Sequence, residues 1–156
     1  MTATRIIIGT SRGGLLALMN ADYADALILI NPMPSAPVHL QMAAKEKYPA
    51  IIPWRKNASL AGTRRALFDC DEMTCMFAFR HWRDESGAGM NAAMAGVEVV
   101  PTECPKLVMA SELDTDIPFS ITKNFANNLN ASFISLPKAS HVGPLLGRSA
   151  AQFALQ

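Results

Sequence analysis

The first clear apolar run is Arg5-Ile-Ile-Ile-Gly9, in which three β-branched side chains end at a glycine. It reads as a short, fully buried strand over Arg5–Ile8. A glycine-rich turn, Gly9-Thr-Ser-Arg-Gly-Gly14, follows, and Leu15 to Asn20 has helical composition. A second apolar run, Ala26 to Ile30, is closed by Asn31-Pro32 and a proline-rich stretch to Pro37. Strand, helix, strand at this spacing is a βαβ unit, so the two strands should run parallel.

From Val38 to about Gly96 the pattern changes. Apolar residues recur at helical spacing in Leu67-Phe68, Cys75-Met76, Phe79 and Trp82, broken at Pro49, Pro53 and Gly62, with no strand-like alternation. The βα pattern then resumes. Lys106 to Ala110 predicts a third strand, and Pro118 to Leu129 an amphipathic helix with Phe119, Ile121, Phe125 and Leu129 on its apolar side. Ser132 to Leu136 predicts a fourth strand, and a last helix is expected from Gly147 or Arg148 to the C-terminus. The expected fold is α/β, a mostly parallel sheet with flanking helices. Residues 1–37 and 97–156 would form the core of a single domain, and residues 38–96 a helical cap inserted into it.

Composition narrows the function classes. Half of the 156 residues are hydrophobic, 17% are charged and the net charge is +1, which suits one globular domain and gives no sign of nucleic-acid binding. Apolar runs such as Ala26 to Ile30 are too short to span a bilayer. The start of the chain lacks the zones of a signal peptide, so a cytoplasmic location is expected. Cys70, Cys75 and Cys104 have neither zinc-knuckle nor CxxC spacing and read as free thiols, so neither metal nor cofactor is expected.

Candidate chemistry begins at Gly9-Thr10-Ser11-Arg12-Gly13, which matches G-x-S-x-G between a strand and a helix. A serine on such a sharp turn sits in a strained backbone, and the flanking glycines relieve crowding. The turn aims Oγ toward a helix N-terminus, where free N–H groups favour developing negative charge; the Arg12 N–H would be one oxyanion donor. The competing reading is a phosphate-cradling turn. The stretch lacks both GxGxxG spacing and a Walker lysine.

A nucleophilic serine needs a base, and the base a carboxylate that orients it. Of the three histidines, His39 follows a proline-rich turn and His81 lies in the helical insertion. His141 follows the fourth strand directly, and loops at strand C-termini are where open α/β sheets carry their sites. His141 is therefore the candidate base, against the plainer reading of a surface loop histidine. Glu112, Asp114 and Asp116 share the loop after the third strand. Asp114 is the first choice for the acid and Asp116 the second, with capping of the helix at Pro118 as the alternative role for Asp116.

Three blocks, Ile6-Ile-Ile-Gly-Thr-Ser-Arg-Gly-Gly14, Cys104 to Pro118 and Leu136 to Pro144, resemble motif blocks of bacterial α/β-hydrolases. Arg80-His-Trp-Arg-Asp-Glu-Ser-Gly87 resembles the return from cap to core in some members. The order Ser11, Asp114, His141 is the one that family uses. The resemblance covers essentially the whole chain and implies hydrolysis of an ester or related acyl bond by a serine esterase, with Ser11 as nucleophile, His141 as base and Asp114 as acid.

In that family, strands and an oxyanion loop precede the nucleophile strand. Here that strand opens the chain, which implies a truncated core lacking the second oxyanion donor. Loss of one such donor costs ~10²–10³ in rate. Arg5–Ile8 would become an unpaired sheet edge, so a homo-oligomer through this strand, or a separate partner that supplies the missing half, is expected. Met73, Met76, Phe77, Phe79 and Trp82 suit either packing within the cap or an apolar acyl pocket. The leading reading is an enzyme acting on a small-molecule acyl substrate. The alternative is a catalytically weak or inactive hydrolase-like interaction module.

Overall fold

The computed structural model describes residues 3–156. Strand β1 (Ile6–Thr10) runs straight into helix α1 (Arg12–Met19), with Ser11 as the only hinge. The helix starts earlier than its apolar composition predicts because Arg12-Gly-Gly14 is drawn into its first turn. It stops where the Asn20 side chain donates back to the Leu16 carbonyl at 2.8 Å. β2 (Ala26–Ile30) then lies parallel to β1, with Ile8 opposite Ile28, as expected for a βαβ unit.

The intervening segment is mostly helical: α2 (Trp54–Asn57), α3 (Leu60–Ala66), α4 (Glu72–His81) and α5 (Gly87–Ala95). Ser59, Asp71 and Ser86 cap α3, α4 and α5, each side chain accepting a bond from an N–H of the first turn. Such caps stabilise a helix by typically about 1 kcal/mol each. One feature corrects the sequence reading. Two short strands, β3 (Ile51–Ile52) and β4 (Glu85–Ser86), pair antiparallel within this segment. Two residues are too few to display an alternating pattern.

The main sheet is completed by β5 (Lys106–Ser111) and β6 (Ser132–Leu136), joined by α6 (Phe119–Asn128). The strand order is β1-β2-β5-β6, parallel throughout. The C-terminal helix expected from Gly147 or Arg148 is shortened to one turn, α8 (Ala150–Phe153), and another one-turn helix, α7 (Gly143–Leu146), precedes it. Gly147 turns to an extended conformation after its N–H closes α7 on the Gly143 carbonyl, and this separates them.

The principal core lies on one face of the sheet, where α1 (Ala17, Leu18) and α6 (Ile121, Phe125) pack on Leu27, Leu29 and Val108. On the other face, Phe153 of α8 covers Met109 and Leu136. This cover does not extend over β1. Ile6 and Ile8 are 55% and 60% exposed, so the strand is the open edge that the resemblance implied and not the fully buried strand that its composition suggested. A strand paired on one side only cannot shield its outer side chains. No helix among the described residues is long and apolar enough to cross a membrane.

Candidate active site

Ser11 occupies the sharp turn between β1 and α1 with φ 52° and ψ −126°. A positive φ at a serine is strained, and its backbone bonds, among them one from the Gly14 N–H to its carbonyl at 3.0 Å, hold it in place. Its N–H donates to the Ile30 carbonyl at 3.0 Å, and its own carbonyl accepts from Met33 N at 2.9 Å. Gly9 makes the turn possible, because a Cβ there would overlap the Gly13 carbonyl and approach Ala17 Cβ to 2.8 Å. Arg12 is the first residue of α1, so its N–H has no acceptor one turn behind it.

The Arg12 side chain does separate work. Its guanidinium pairs with Glu85 at 2.7 Å, and Trp54 Nε1 donates to the same carboxylate at 3.1 Å. The turn that carries Ser11 is thereby tied to β4 and α2.

Asp114 and His141 meet directly: His141 Nδ1 lies 2.7 Å from Asp114 Oδ2. The Asp114 side chain is 1% exposed and that of His141 13%. Asp114 Oδ1 accepts from the backbone N–H groups of Asp116 (2.8 Å) and Ile117 (2.9 Å), so both oxygens are engaged. Burial pushes the His141 pKa down, but the bond to Asp114 and the charges of Asp114 and Asp116 outweigh it and hold the value above 6.5.

Ser11, Asp114 and His141 all lie just past the C-terminal ends of parallel strands, at one end of the sheet. Among the described residues no hydrogen bond joins Ser11 Oγ to His141; the two stand as a strained serine and a separate, paired imidazole.

The other candidates fall elsewhere. Asp116 is exposed and bonds to Asp114 through its backbone, while Pro118 opens α6 without any side-chain cap, so Asp116 is not the cap. Glu112 accepts from Ser135 Oγ at 2.7 Å. His81 stacks on Phe77 with ring centroids 4.0 Å apart, and His39 packs against Gly96.

Met73 and Phe77 are 82% and 59% exposed, so neither lines an enclosed pocket, and Trp82 Nε1 is bound to Thr63 Oγ1. Asp114, Asp116 and His141 each bring one ligand atom within 4.8 Å of the others, the spacing of a cation site. Both Asp114 oxygens already take part in hydrogen bonds, Oδ2 with His141 Nδ1 and Oδ1 with two backbone N–H groups. The three cysteines are free; burial, aided by the Asp69 charge, pushes the Cys70 thiol up to about 11, which makes it inert at neutral pH.

Two residues that pattern reading passed over hold the histidine loop. Asn31, 1% exposed, donates from Nδ2 to the His141 carbonyl at 2.7 Å. Asp69 Oδ2 accepts from the Ser140 N–H at 2.8 Å. In sequence, Asn31 stands out only as turn punctuation before Pro32, and nothing in the local pattern around Asp69 marks it.

The chain shares its fold with known hydrolases. It superimposes on a mutant of polyneuridine aldehyde esterase with a TM-score of 0.68 at 15% identity, covering 97% of this chain and 70% of that one. A thermophilic esterase from Thermogutta terrifontis gives 0.60 at 18% identity, over 99% and 64% of the two chains. A monoacylglycerol lipase from Paleococcus ferrophilus gives 0.60 at 14%, over 96% and 65%. Identities this low speak for the fold alone. No curated protein sequence matches the chain. The family model for the alpha/beta hydrolase family, however, matches residues 2–155. With that match and a parallel sheet that carries a serine elbow, the chain belongs to the alpha/beta hydrolase family.

Proposed function

We propose that the protein is a serine hydrolase that cleaves an ester or related acyl bond of a small molecule. The observation that carries this reading is the buried Asp114–His141 pair at 2.7 Å, at the same end of the sheet as the strained Ser11. Asp114 accepts the Nδ1 proton and so leaves Nε2 as the basic nitrogen. His141 then takes the Ser11 proton as Oγ attacks the acyl carbon, and the tetrahedral oxyanion forms beside the Arg12 N–H. His141 returns the proton to the leaving alcohol. Water, activated by the same nitrogen, releases the acid and restores Ser11. In this reading residues 38–96 act as a cap, docked on the elbow by Arg12 and Glu85. Esterase and lipase activities among the structural neighbours fit this class of reaction.

Turnover of p-nitrophenyl esters of increasing acyl length is the test. Saturable hydrolysis that disappears in Ser11→Ala and in His141→Ala is expected. Equal rates in the wild type and both variants would refute the reading. They would favour the second one, an interaction module that keeps the hydrolase core; the exposed β1 edge with Ile6 and Ile8 suits such a module.

A further inference from the structure

Asn31 sits at the C-terminal end of β2 with φ 44°, a left-handed conformation that asparagine tolerates better than most residues. Its position there is fixed by its own N–H, which donates to the Met109 carbonyl at 2.8 Å. Every polar atom of its buried side chain is used. Oδ1 accepts from the Ser111 N–H at 2.7 Å, and Nδ2 donates to Ser111 Oγ at 2.9 Å and to the His141 carbonyl at 2.7 Å. One amide therefore joins the ends of β2 and β5 to the backbone of the histidine itself.

The neighbouring residue completes the link, because the Ile30 carbonyl accepts from the N–H of Ser11. The path from nucleophile to base is thus Ser11 N–H, Ile30, Asn31, His141, with a single side chain in it. On the preceding residue, the Ser140 N–H is held by Asp69 from the insertion.

We propose that Asn31 is a positioning residue that sets the register of His141 against Ser11. The inference rests on the serine-hydrolase reading above. The imidazole has Asp114 to orient its ring, but a hydrogen bond to Nδ1 fixes only the ring's pivot. How far the loop carries Nε2 from Ser11 Oγ depends on where the His141 backbone lies, and a buried amide donor aimed at the His141 carbonyl determines that. Displacement of a reacting group by about 1 Å can cost ~10²-fold in rate.

The test compares Asn31→Gly with Ser111→Ala. Glycine accepts the positive φ without strain and deletes the amide. Ser111→Ala removes one partner of Asn31 and leaves its bond to His141 intact. Expected for Asn31→Gly is a fall in kcat of about 10- to 100-fold with KM within about threefold of wild type, and a matching slowing of fluorophosphonate labelling. The His141 ring resonances, followed by NMR across pH, should show a titration close to that of the wild type, because Asp114 still holds Nδ1. Ser111→Ala should keep kcat within about threefold.

An Asn31→Gly enzyme that is folded and has wild-type kcat would overturn the proposal. So would equal losses in both variants, which would mark the network as merely structural. If the wild type itself fails to label, the hydrolase reading fails first. Wild-type labelling with an unaffected Asn31→Gly sinks this inference alone.

Discussion

Substituting Asp114 by Asn keeps the shape of the side chain and removes its charge, and the surrounding bonds dictate which way the new amide faces. Oδ1 accepts from Asp116 N at 2.8 Å and Ile117 N at 2.9 Å. Turning the NH2 group toward those two donors would leave both without an acceptor, and for the buried Ile117 N–H this costs roughly 1–3 kcal/mol. The amide nitrogen must therefore face His141 Nδ1. Nδ1 then has to be the accepting nitrogen, so in the neutral ring the proton moves to Nε2, which can no longer accept from Ser11. A reversed tautomer in a triad costs about 10⁴-fold in kcat, or about 5 kcal/mol of transition-state stabilisation.

The assay is steady-state hydrolysis of a p-nitrophenyl ester by Asp114→Asn, beside Asp116→Asn and the wild type, with thermal unfolding of each. Asp116 touches Asp114 through its backbone N–H, which its asparagine variant retains, so that variant should lose less than about tenfold. A folded Asp114→Asn within about tenfold of wild type would refute the reasoning. A larger loss in Asp116→Asn would transfer the role of the acid to that residue.

Further expectations follow from the same structure. The His141 pKa is held above 6.5, so the acid limb of kcat/KM should have its midpoint above that value, since the base must be neutral to act. The sign for stability is the opposite: folding binds the His141 proton more tightly, so this contribution is fully present below 6.5 and is lost as pH rises through the folded value. Denaturant titrations of wild type and His141→Gln across that window should converge at the alkaline end. Gly9→Ala should abolish ester hydrolysis and destabilise the fold by about 1–3 kcal/mol or more, because the added methyl meets the Gly13 carbonyl and Ala17; a variant with wild-type Tm and rate would contradict the elbow geometry. The open β1 edge, with Ile6 and Ile8 more than half exposed, predicts self-association in light scattering that Ile8→Lys weakens; a wild type that is monomeric at micromolar concentration would contradict it.

How much of this was legible in the sequence depended on how far apart the interacting residues lie. The elbow was readable because Gly9, Ser11 and Gly13 are neighbours and the strain is local. The βα alternation was readable because β2 and the centre of β5 (Leu107–Ala110) are short apolar runs, β6 carries Phe133, Ile134 and Leu136, and turn residues close each of them. The exposed edge of β1 was expected only from the resemblance and not from its composition, since three isoleucines look the same in a central strand and an outer one. Nor was the one-turn helix α7 legible, which ends where the Gly147 N–H donates to the Gly143 carbonyl. Asn31 and Asp69 escaped notice for a different reason. They act on residues 110 and 71 positions away, and only the closed sheet brings them there. Asp114 and His141 share that remoteness, but their residue types and strand-end positions announced them.

The chemistry proposed for this site stands or falls with Ser11 as an activated nucleophile. Labelling of the intact chain with a fluorophosphonate, read by mass spectrometry, tests it most directly. One adduct per chain is expected, located on Ser11, lost in Ser11→Ala and reduced at least a hundredfold in rate in His141→Ala, about the scale of one general base. A folded wild-type chain that takes up no label, or that labels equally fast without His141, would contradict it.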